Sequence, residues 1–531
     1  MSAPGPVAGL APEPVAGVAT GPAADLVAAE DVLLFVNAAI TATGQREFSS
    51  DADEQRLSLD FLHTYVRVNY RRVYASSLAL GINHHNAALI VRGLLETAGG
   101  ASPEERRTEG RLIAARLALL PPPRVYRLFG ELRRAKVNNR RTRAIMRDWL
   151  AARPDLGHDA VKYRSGLKTA VRHIHLPCRE GSGPSAEIGA FLFRPGRPHR
   201  YEHRMLDAWR RAHYEQGAVS ELPFTVAEGF AGRHGMKHEV FLKRAAPRMT
   251  RLERLRTQER QAAVRRPGSP GVDVDLTVMP LTRLALYVLS LGFEQRAGRR
   301  AELTGALRAA ARRAAGAHAG SWGRVHAVLD DSFSSSGSGQ KRRRPLAVAL
   351  ACHHLLEVLA APGAYRGLWT SGARDALLVR PWGPTPLGLR ILDALEPGEC
   401  RDDRAGSRGP GATGATPSPP GGAAPDRLVI VSDGWDNAPA GLAGEVLRVW
   451  RHRLDPARRT AVVHVNPVYD TAGFDVRRLA AGVATAGIRD AEDLPALVEI
   501  ARFAEGRTGS EELYAYLDRQ VARFTGEGGV A

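Results

Sequence analysis

The sequence contains little cysteine and almost no lysine. Its 531 residues include three cysteines, Cys178, Cys352 and Cys400, which lie far apart and form no Cys-x-x-Cys pair. This spacing excludes a disulfide framework and a cysteine-rich zinc site, and it indicates a reducing compartment, so we expect the protein to be cytoplasmic. Only six of the 74 basic residues are lysines, a skew that is typical of G+C-rich genomes and that predicts nothing about function by itself.

Long apolar runs and catalytic motifs are also absent. No stretch approaches the roughly 18 uninterrupted apolar residues of a membrane-spanning helix, so we expect no membrane span. Residues 1–30 lack the basic start and compact apolar core of a secretory signal, and their Ala/Pro/Gly/Val composition predicts a disordered lead-in. There is no Gly-x-Ser-x-Gly elbow, no His-Glu-x-x-His and no complete phosphate loop. We therefore expect that the protein is not an enzyme.

The chain is too long for one hydrophobic core, and its patterning changes near residue 320. Residues 31–320 carry apolar residues at three- and four-residue spacing in segment after segment, which predicts a succession of helices. That helix density favours an α-helical repeat, a HEAT-like solenoid or ring, although no sequence period is present. Residues 321–531 alternate strands with helices, which predicts an α/β domain with a doubly wound parallel sheet. Within it, the Gly/Pro-rich residues 404–426 predict a disordered insertion.

The net charge of +18 lies entirely in the first part. Residues 321–531 hold 25 Lys+Arg and 25 Asp+Glu, so residues 1–320 carry the whole excess. Such an asymmetry indicates that the helical part meets a polyanion. Two basic helix faces could contact the phosphates and unpaired bases of RNA, although an ordinary solvated face would show the same pattern. Their residues are Arg140, Arg143 and Arg147 on one face, and Arg164, Lys168, Arg172 and the neighbouring His173 on the other.

Five oxygen donors are spread over three segments of the second part. Asp330, Ser332 and Ser334 form an Asp-x-Ser-x-Ser pattern directly after an apolar run that predicts a strand. Thr385 follows the apolar run 376–379, and Asp433 follows the run 428–431, each also a predicted strand. Ligands of open α/β sheets bind outside the carboxyl ends of the strands, so we expect the three loops to converge. Oxygen donors of this kind suit a hard divalent cation such as Mg²⁺.

This pattern resembles the metal-ion-dependent adhesion site of a von Willebrand factor A domain, complete in all five positions. The resemblance implies Ser332, Ser334 and Thr385 as direct ligands of Mg²⁺ or another divalent cation. It implies Asp330 and Asp433 as ligands that act mostly through water, and an open coordination position for an acidic group from a partner. The alternative is a domain of the same fold whose metal site has decayed.

A basic helical module joined to such a domain resembles the Ro autoantigen family, whose helical part is the TROVE module. In that family a ring of helical repeats binds structured small RNA and the single-stranded ends of misfolded RNA. The resemblance implies a ribonucleoprotein or an RNA quality-control complex. Two other classes remain open: an adaptor for a MoxR-type AAA+ ATPase, whose metal site takes an acidic residue of a protein partner, and a structural assembly protein. The charge asymmetry favours RNA, since an adaptor has no need of a basic scaffold.

Overall fold

Helices form the first part of the chain, and a five-stranded parallel sheet flanked by helices forms the second. The computed structural model describes residues 22–48, 51–175, 184–193, 200–250, 253–254, 257, 275–396, 424–497 and 510–526. None of the helices in these ranges is long and apolar enough to cross a membrane.

The helices of the first part differ widely in length, from 4 to 20 residues. The described helices therefore repeat no unit of constant length, and the solenoid or ring stays a prediction. They are α1 (Pro22–Thr41), α2 (Ala52–Asn69), α3 (Arg71–Ser76), α4 (His84–Glu96), α5 (Pro103–Leu119), α6 (Pro122–Arg134), α7 (Arg140–Ala151), α8 (Leu156–Lys162), α9 (Arg164–Ile174), α10 (Pro184–Phe193), α11 (Arg204–Arg211), α12 (Gln216–Val219), α13 (Phe224–Arg233), α14 (His238–Ala245), α15 (Leu281–Ser290), α16 (Phe293–Gly298) and α17 (Arg300–Ala315).

Local capping explains where several of these helices begin. The Asp51 side chain accepts hydrogen bonds from the first-turn amides of α2, and the Glu54 side chain accepts one from the Asp51 amide in return. Helices α8 and α9 are separate, because Tyr163 between them leaves helical geometry at φ −123°. The Tyr163 ring at this break lies 5.8 Å from that of Tyr126 in α6.

The second part contains the parallel sheet, with strand order β2-β1-β3-β4-β7 and every neighbouring pair parallel. The predicted strands at 325–329 and 428–431 are confirmed, whereas β7 and a short β5–β6 hairpin were not predicted. The strands are β1 (Val325–Leu329), β2 (Tyr365–Trp369), β3 (Arg427–Val431), β4 (Ala461–Asn466), β5 (Tyr469–Asp470), β6 (Asp475–Val476) and β7 (Ala484–Gly487). The helices are α18 (Arg344–Leu359), α19 (Leu387–Leu395), α20 (Leu442–Arg453) and α21 (Ser510–Thr525).

The predicted strand at 376–379 is wrong. Ala376–Leu378 forms a 3₁₀ turn, which the Asp375 side chain caps by accepting a hydrogen bond from the Leu377 amide. The carbonyl oxygens of Leu377 and Val379 accept hydrogen bonds from the guanidinium of Arg296, a residue of the helical part. In a strand these carbonyl oxygens would accept hydrogen bonds from the amides of a neighbouring strand. The strand beside β1 is β2. Thr385 therefore lies at the end of a long loop between β2 and α19.

The amino-terminal helix α1 packs against the second part of the chain, across the predicted domain boundary at residue 320. Helix α1 begins at Pro22, inside the segment predicted as a disordered lead-in; residues 1–21 lie outside the described ranges. It packs against β6 and β7, where the Asn37 side chain accepts a 3.0 Å hydrogen bond from the Gly487 amide. A Cβ atom on Gly487 would lie 2.9 Å from the Asn37 carbonyl oxygen, so the approach requires glycine.

The boundary is also crossed in the other direction. Helix α21 packs against α3 and α5, and Arg72 forms a 2.8 Å ion pair with Asp518.

The predicted disordered insertion ends earlier than residue 426, because the Asp426 carboxylate accepts a 2.7 Å hydrogen bond from the Arg324 amide at the start of the sheet. Residues 404–423 of that insertion lie outside the described ranges.

Candidate functional site

Three loops meet at the carboxyl edge of the sheet. The Asp330 amide donates to the Val431 carbonyl oxygen (2.9 Å), and the Phe333 amide donates to that of Gly383 (3.0 Å). The Thr385 amide donates to the Asn437 side chain at 2.7 Å, which joins the Thr385 loop to the loop that follows β3. These bonds bring the Asp330–Ser334 loop, the Thr385 loop and the Asp433 loop against one another.

The five predicted metal donors are largely withdrawn from solvent. Asp330, Ser332, Thr385 and Asp433 are buried, and Ser334 is half-buried. The Ser332 and Ser334 hydroxyl oxygens lie 3.2 Å apart, and the Ser334 hydroxyl donates to the Asp433 carboxylate. The Thr385 hydroxyl makes no hydrogen bond to any residue in the described ranges, so its oxygen is available as a ligand.

The two carboxylates of this cluster, Asp330 and Asp433, favour a bound cation. Burial raises the pKa of Asp330, and the neighbouring Asp433 carboxylate raises it further. Burial likewise raises the pKa of Asp433, against the hydrogen bond from Ser334 and the charge of Arg477. Neither carboxylate forms an ion pair within the described part of the chain. Two adjacent buried carboxylates beside three hydroxyls fit a hard divalent cation, which would neutralise both.

Hydroxyl oxygens are essential to this donor set. Among the described residues, no three His, Cys, Asp or Glu side chains gather where they could hold a metal ion. Three of the five donors in the predicted centre are the hydroxyl oxygens of serine and threonine, and the other two are carboxylates.

Asp331 positions the first loop, although sequence reasoning did not assign it a role. Its buried carboxylate accepts hydrogen bonds from the Thr370 hydroxyl (2.9 Å), the Ser371 amide (2.8 Å) and the Ser371 hydroxyl (2.5 Å). Thr370 and Ser371 directly follow β2, so Asp331 joins the ends of two neighbouring strands. Two features of the sequence could have indicated this role. One is the second carboxylate of the Asp330-Asp331 pair, and the other is the Thr-Ser pair that directly follows the apolar end of β2.

His464 supports the third loop from inside the sheet. Its Nε2 lies 3.2 Å from the Ser432 carbonyl oxygen, and its Nδ1 lies 3.2 Å from the Thr485 hydroxyl. Burial lowers the pKa of His464 to about 4, so the ring is neutral at ordinary pH. Its contact fixes the residue before Asp433. Sequence reasoning missed this residue because it stands in the middle of β4 with no motif around it.

One of the two predicted RNA-binding faces is engaged in helix packing. The Arg164 guanidinium lies over the rings of Phe191 (4.7 Å) and Trp209 (5.3 Å) and donates to the Phe191 carbonyl oxygen. Lys168 and Arg172 both lie over the Phe193 ring of α10, at 5.6 and 5.3 Å. Cation–π contacts of this kind hold α10 against α9.

His173 and part of the predicted face formed by Arg140, Arg143 and Arg147 also contact neighbouring backbone groups. His173 is buried, and its Nε2 lies 3.0 Å from the Val137 carbonyl oxygen, so its imidazole is a packing group. Arg147 donates to the Ile174 carbonyl oxygen at 3.2 Å, and Arg143 is half-buried. Arg140 is exposed and makes no side-chain hydrogen bond or ion pair within the described ranges.

A polar groove of about 660 Å³ lies between α6 and the junction of α8 with α9. Arg127 and Arg134 line one wall; both are exposed and have no ion pair or side-chain hydrogen bond to any described residue. Lys162 lines the other wall beside Tyr163 and forms a 3.4 Å ion pair with Glu253. Glu131 is the carboxylate among the lining residues. Arg127, which sequence reasoning did not single out, thus stands with Arg134 and Lys162 in a concave surface that has more basic than acidic side chains.

Comparison with known proteins yields a likeness to a solved structure. No protein-family model matches the chain, and no curated protein matches it. The crystal structure of the RO (RSR) protein of Deinococcus radiodurans is similar at 14% sequence identity and a TM-score of 0.49, covering 90% of this chain and 100% of that one. A likeness of this extent assigns neither an activity nor a ligand to this chain.

Proposed function

We propose that this chain is a metal-binding, RNA-binding protein of the Ro type, which holds small or misfolded non-coding RNA in a cytoplasmic ribonucleoprotein. Its role is binding rather than catalysis. The basic helical part gathers the RNA, and the metal centre takes one acidic group. The observation that carries the proposal is the set of exposed arginines without ion partners in the described residues, Arg127, Arg134 and Arg140, on the part of the chain that holds all of the net positive charge.

Exposed arginines without partners suit phosphate groups for a physical reason. A guanidinium that already pairs with a carboxylate must give up that partner before it binds a phosphate, whereas a free one releases only water and counterions. The groove between α6 and the α8–α9 junction adds concavity, which concentrates the field of Arg127 and Arg134. Tyr163 at its wall offers a ring face for an unpaired base.

The test is binding of fluorescent single-stranded RNA at several salt concentrations. We expect the triple variant Arg127→Gln, Arg134→Gln, Arg140→Gln to reduce the slope of log affinity against log salt by about 2, since each phosphate of single-stranded RNA that an arginine neutralises adds about 0.7 to that slope. The matched control is Arg56→Gln, Arg92→Gln, Arg448→Gln, because it removes the same charge from arginines that form surface ion pairs. Equal effects of the two triple variants would contradict a specific contact surface.

A second variant tests the groove without removing charge from an arginine. A Cβ atom built on Gly130 meets no atom within 4 Å, so Gly130→Glu places a carboxylate in the groove without a clash. We expect RNA affinity to fall by about 10-fold or more through repulsion of phosphates, with the unfolding midpoint retained. Gly130→Gln has a similar shape and no charge, and it should weaken binding less. RNA affinity that is unchanged in Gly130→Glu would overturn this groove as the RNA-binding surface.

A further inference from the structure

Four exposed aromatic side chains stand in or near the first of the three loops. Phe333, within the Asp330–Ser334 loop, is 63% exposed, and Trp382 is 61% exposed. Phe48 and Phe293, from the helical part, are 45% and 44% exposed. Large apolar side chains that are left in water as a group mark a surface that another molecule covers.

Backbone hydrogen bonds and a ring contact join three of these side chains into one surface. The Trp382 amide donates to the Asp331 carbonyl oxygen at 2.8 Å, and the Phe333 amide donates to that of Gly383 at 3.0 Å. The segment that carries Trp382 therefore lies along the loop that carries Phe333. The Phe48 ring centroid lies 6.0 Å from that of Phe333, with the rings edge to face. Both parts of the chain thus contribute rings to the same surface.

An arginine connects the fourth ring to this surface. The Arg380 guanidinium lies 4.7 Å from the Trp382 ring centroid and 5.9 Å from that of Phe293. Arg380 is exposed and forms no ion pair or side-chain hydrogen bond within the described ranges. Its charge is available to an anion, and its planar guanidinium extends the aromatic surface. The aromatic row is defined here as Phe48, Phe293, Phe333, Trp382 and Arg380.

The charges at the Phe48 end of the aromatic row favour an anionic ligand. Arg46, two residues before Phe48, is exposed, and its side chain has no ion pair or hydrogen bond to any described residue. Glu47 lies between them in the sequence, but its carboxylate is buried and paired with Lys341. Residues 46–48 therefore present a cation and a ring to solvent and withhold their carboxylate.

The Phe293 end of the aromatic row is less favourable to an anion. Glu294, the next residue in the chain, is exposed. Its carboxylate would repel a phosphate that approached Phe293. We therefore expect an anionic ligand to lie over the other three rings.

Rings beside unpaired arginines match the chemistry of a single-stranded nucleic acid. A base stacks on an aromatic face or a guanidinium plane, and every nucleotide also brings a phosphate for an arginine. A protein segment could cover the rings, but it would leave Arg46 and Arg380 without anions unless it were acidic as well as apolar. The groove between α6 and the α8–α9 junction has the opposite balance, with three cations and the two rings of Tyr126 and Tyr163 among its lining residues.

We propose that the aromatic row is a stacking surface for the unpaired bases of single-stranded RNA. Bases stack on Phe48, Phe333 and Trp382, and Arg46 and Arg380 bind the phosphates between them. The proposal rests on the RNA binding of the proposed function and adds to it a surface that shares no residue with the groove. It needs no metal ion. Because the bases of a duplex are already stacked on one another, this surface selects unpaired RNA.

The test compares two fluorescent ligands that carry the same number of phosphates. One is a 12-nucleotide oligouridylate, and in the other tetrahydrofuran spacers replace the nucleosides, so that it has no bases. We expect the parent chain to bind the oligouridylate more tightly. Trp382→Ala should weaken that binding about 10-fold, the effect of losing one stacked base, and should leave binding of the spacer chain near that of the parent. Trp382→Phe keeps a ring and should retain most of the affinity.

The matched control is Trp435→Ala. Trp435 is also an exposed tryptophan, and the Arg477 guanidinium lies 3.6 Å from its ring centroid. It lines a different surface, a cleft whose walls include Glu54 and Asp470, which would repel phosphates. We expect Trp435→Ala to leave both affinities unchanged. Because both tryptophans are exposed, both alanine variants should unfold at the midpoint of the parent chain.

The possible failures can be told apart. If the parent binds the two ligands equally, or if Trp382→Ala and Trp435→Ala lose affinity equally, the stacking surface is overturned while RNA binding through phosphates stands. If the parent binds neither ligand, RNA binding itself is overturned. A dimer that Trp382→Ala dissolves, with RNA affinity unchanged, would assign the aromatic row to a second copy of the chain.

Discussion

The guanidinium of Arg296 donates a 3.2 Å hydrogen bond to the carbonyl oxygen of Leu377, across the two parts of the chain. It donates a further bond of 3.0 Å to the Val379 carbonyl oxygen, and others to carbonyl oxygens of α15 and its end. Burial lowers the pKa of Arg296 to about 10, which leaves it charged at neutral pH. One buried cation thus holds the loop that leads to Thr385 against the helical part.

Replacing this cation should destabilise the protein. Arg296→Met fills a similar volume but leaves buried carbonyl oxygens without donors, so we expect a loss of about 3 kcal/mol in the free energy of unfolding. Urea unfolding followed by tryptophan fluorescence measures it. Arg299→Met is the control, because Arg299 pairs with the exposed Glu302 and should matter less. A loss equal to that of the control would contradict this role of Arg296.

Asp331 should control metal affinity without acting as a ligand. Asp331→Asn keeps the size of the side chain but exchanges one acceptor for a donor facing the Ser371 amide and the hydroxyl groups of Thr370 and Ser371. We expect Mn²⁺ affinity, measured by calorimetry, to fall about 10- to 100-fold, as for other residues that orient metal ligands. Asp393→Asn, in a surface ion pair with Arg390, should leave the affinity unchanged.

Metal binding should strengthen as pH rises. The raised pKa values of Asp330 and Asp433 mean that the folded, metal-free protein binds more protons than the unfolded chain. Its stability therefore declines as pH rises through the folded pKa values, and a divalent cation should restore it. Thermal unfolding in EDTA and in Mg²⁺ tests this: the Mg²⁺-induced rise in Tm should be larger at about pH 8 than at about pH 5.5.

The same carboxylates predict an unusual stabilising substitution. Asp330→Asn removes one of two adjacent buried charges, so the metal-free protein at about pH 8 should gain about 1 kcal/mol or more, one pKa unit being worth about 1.4 kcal/mol. It should also lose the Mg²⁺-induced rise in Tm. A variant that is less stable than the parent in EDTA would show that the Asp433 charge does not destabilise ionised Asp330.

Arg164 should matter for stability more than for RNA. Arg164→Gln removes the contacts of the guanidinium with the Phe191 and Trp209 rings, for an expected loss of about 1 kcal/mol or more. The salt slope of RNA binding should stay near that of the parent chain, in contrast to the triple variant that contains Arg134→Gln. A slope reduced by Arg164→Gln with unchanged stability would return Arg164 to the RNA-binding surface.

Local patterns account for what sequence reasoning predicted correctly. The strands at 325–329 and 428–431 are continuous apolar runs because both faces of a parallel sheet are covered, and such runs are visible in the sequence. The Asp330–Ser334 pattern lies within five residues, so its loop could be found without a structure. The segment at 376–379 has the same apolar character, but its carbonyl groups bond to Arg296 and not to a strand. No local pattern separates these two cases.

Helix density, the parallel α/β arrangement, five oxygen donors and the location of the positive charge all follow from the sequence alone. Only the tertiary structure decides which cations are free: it turns Arg164 toward aromatic rings, buries His173 and leaves Arg127 and Arg134 in an open groove. It also brings α1 to β7 through Asn37 and Gly487, 450 positions apart. The physical reason is that propensity and periodicity act over a few residues, whereas ion pairs, ring contacts and clefts depend on which distant segments are packed together.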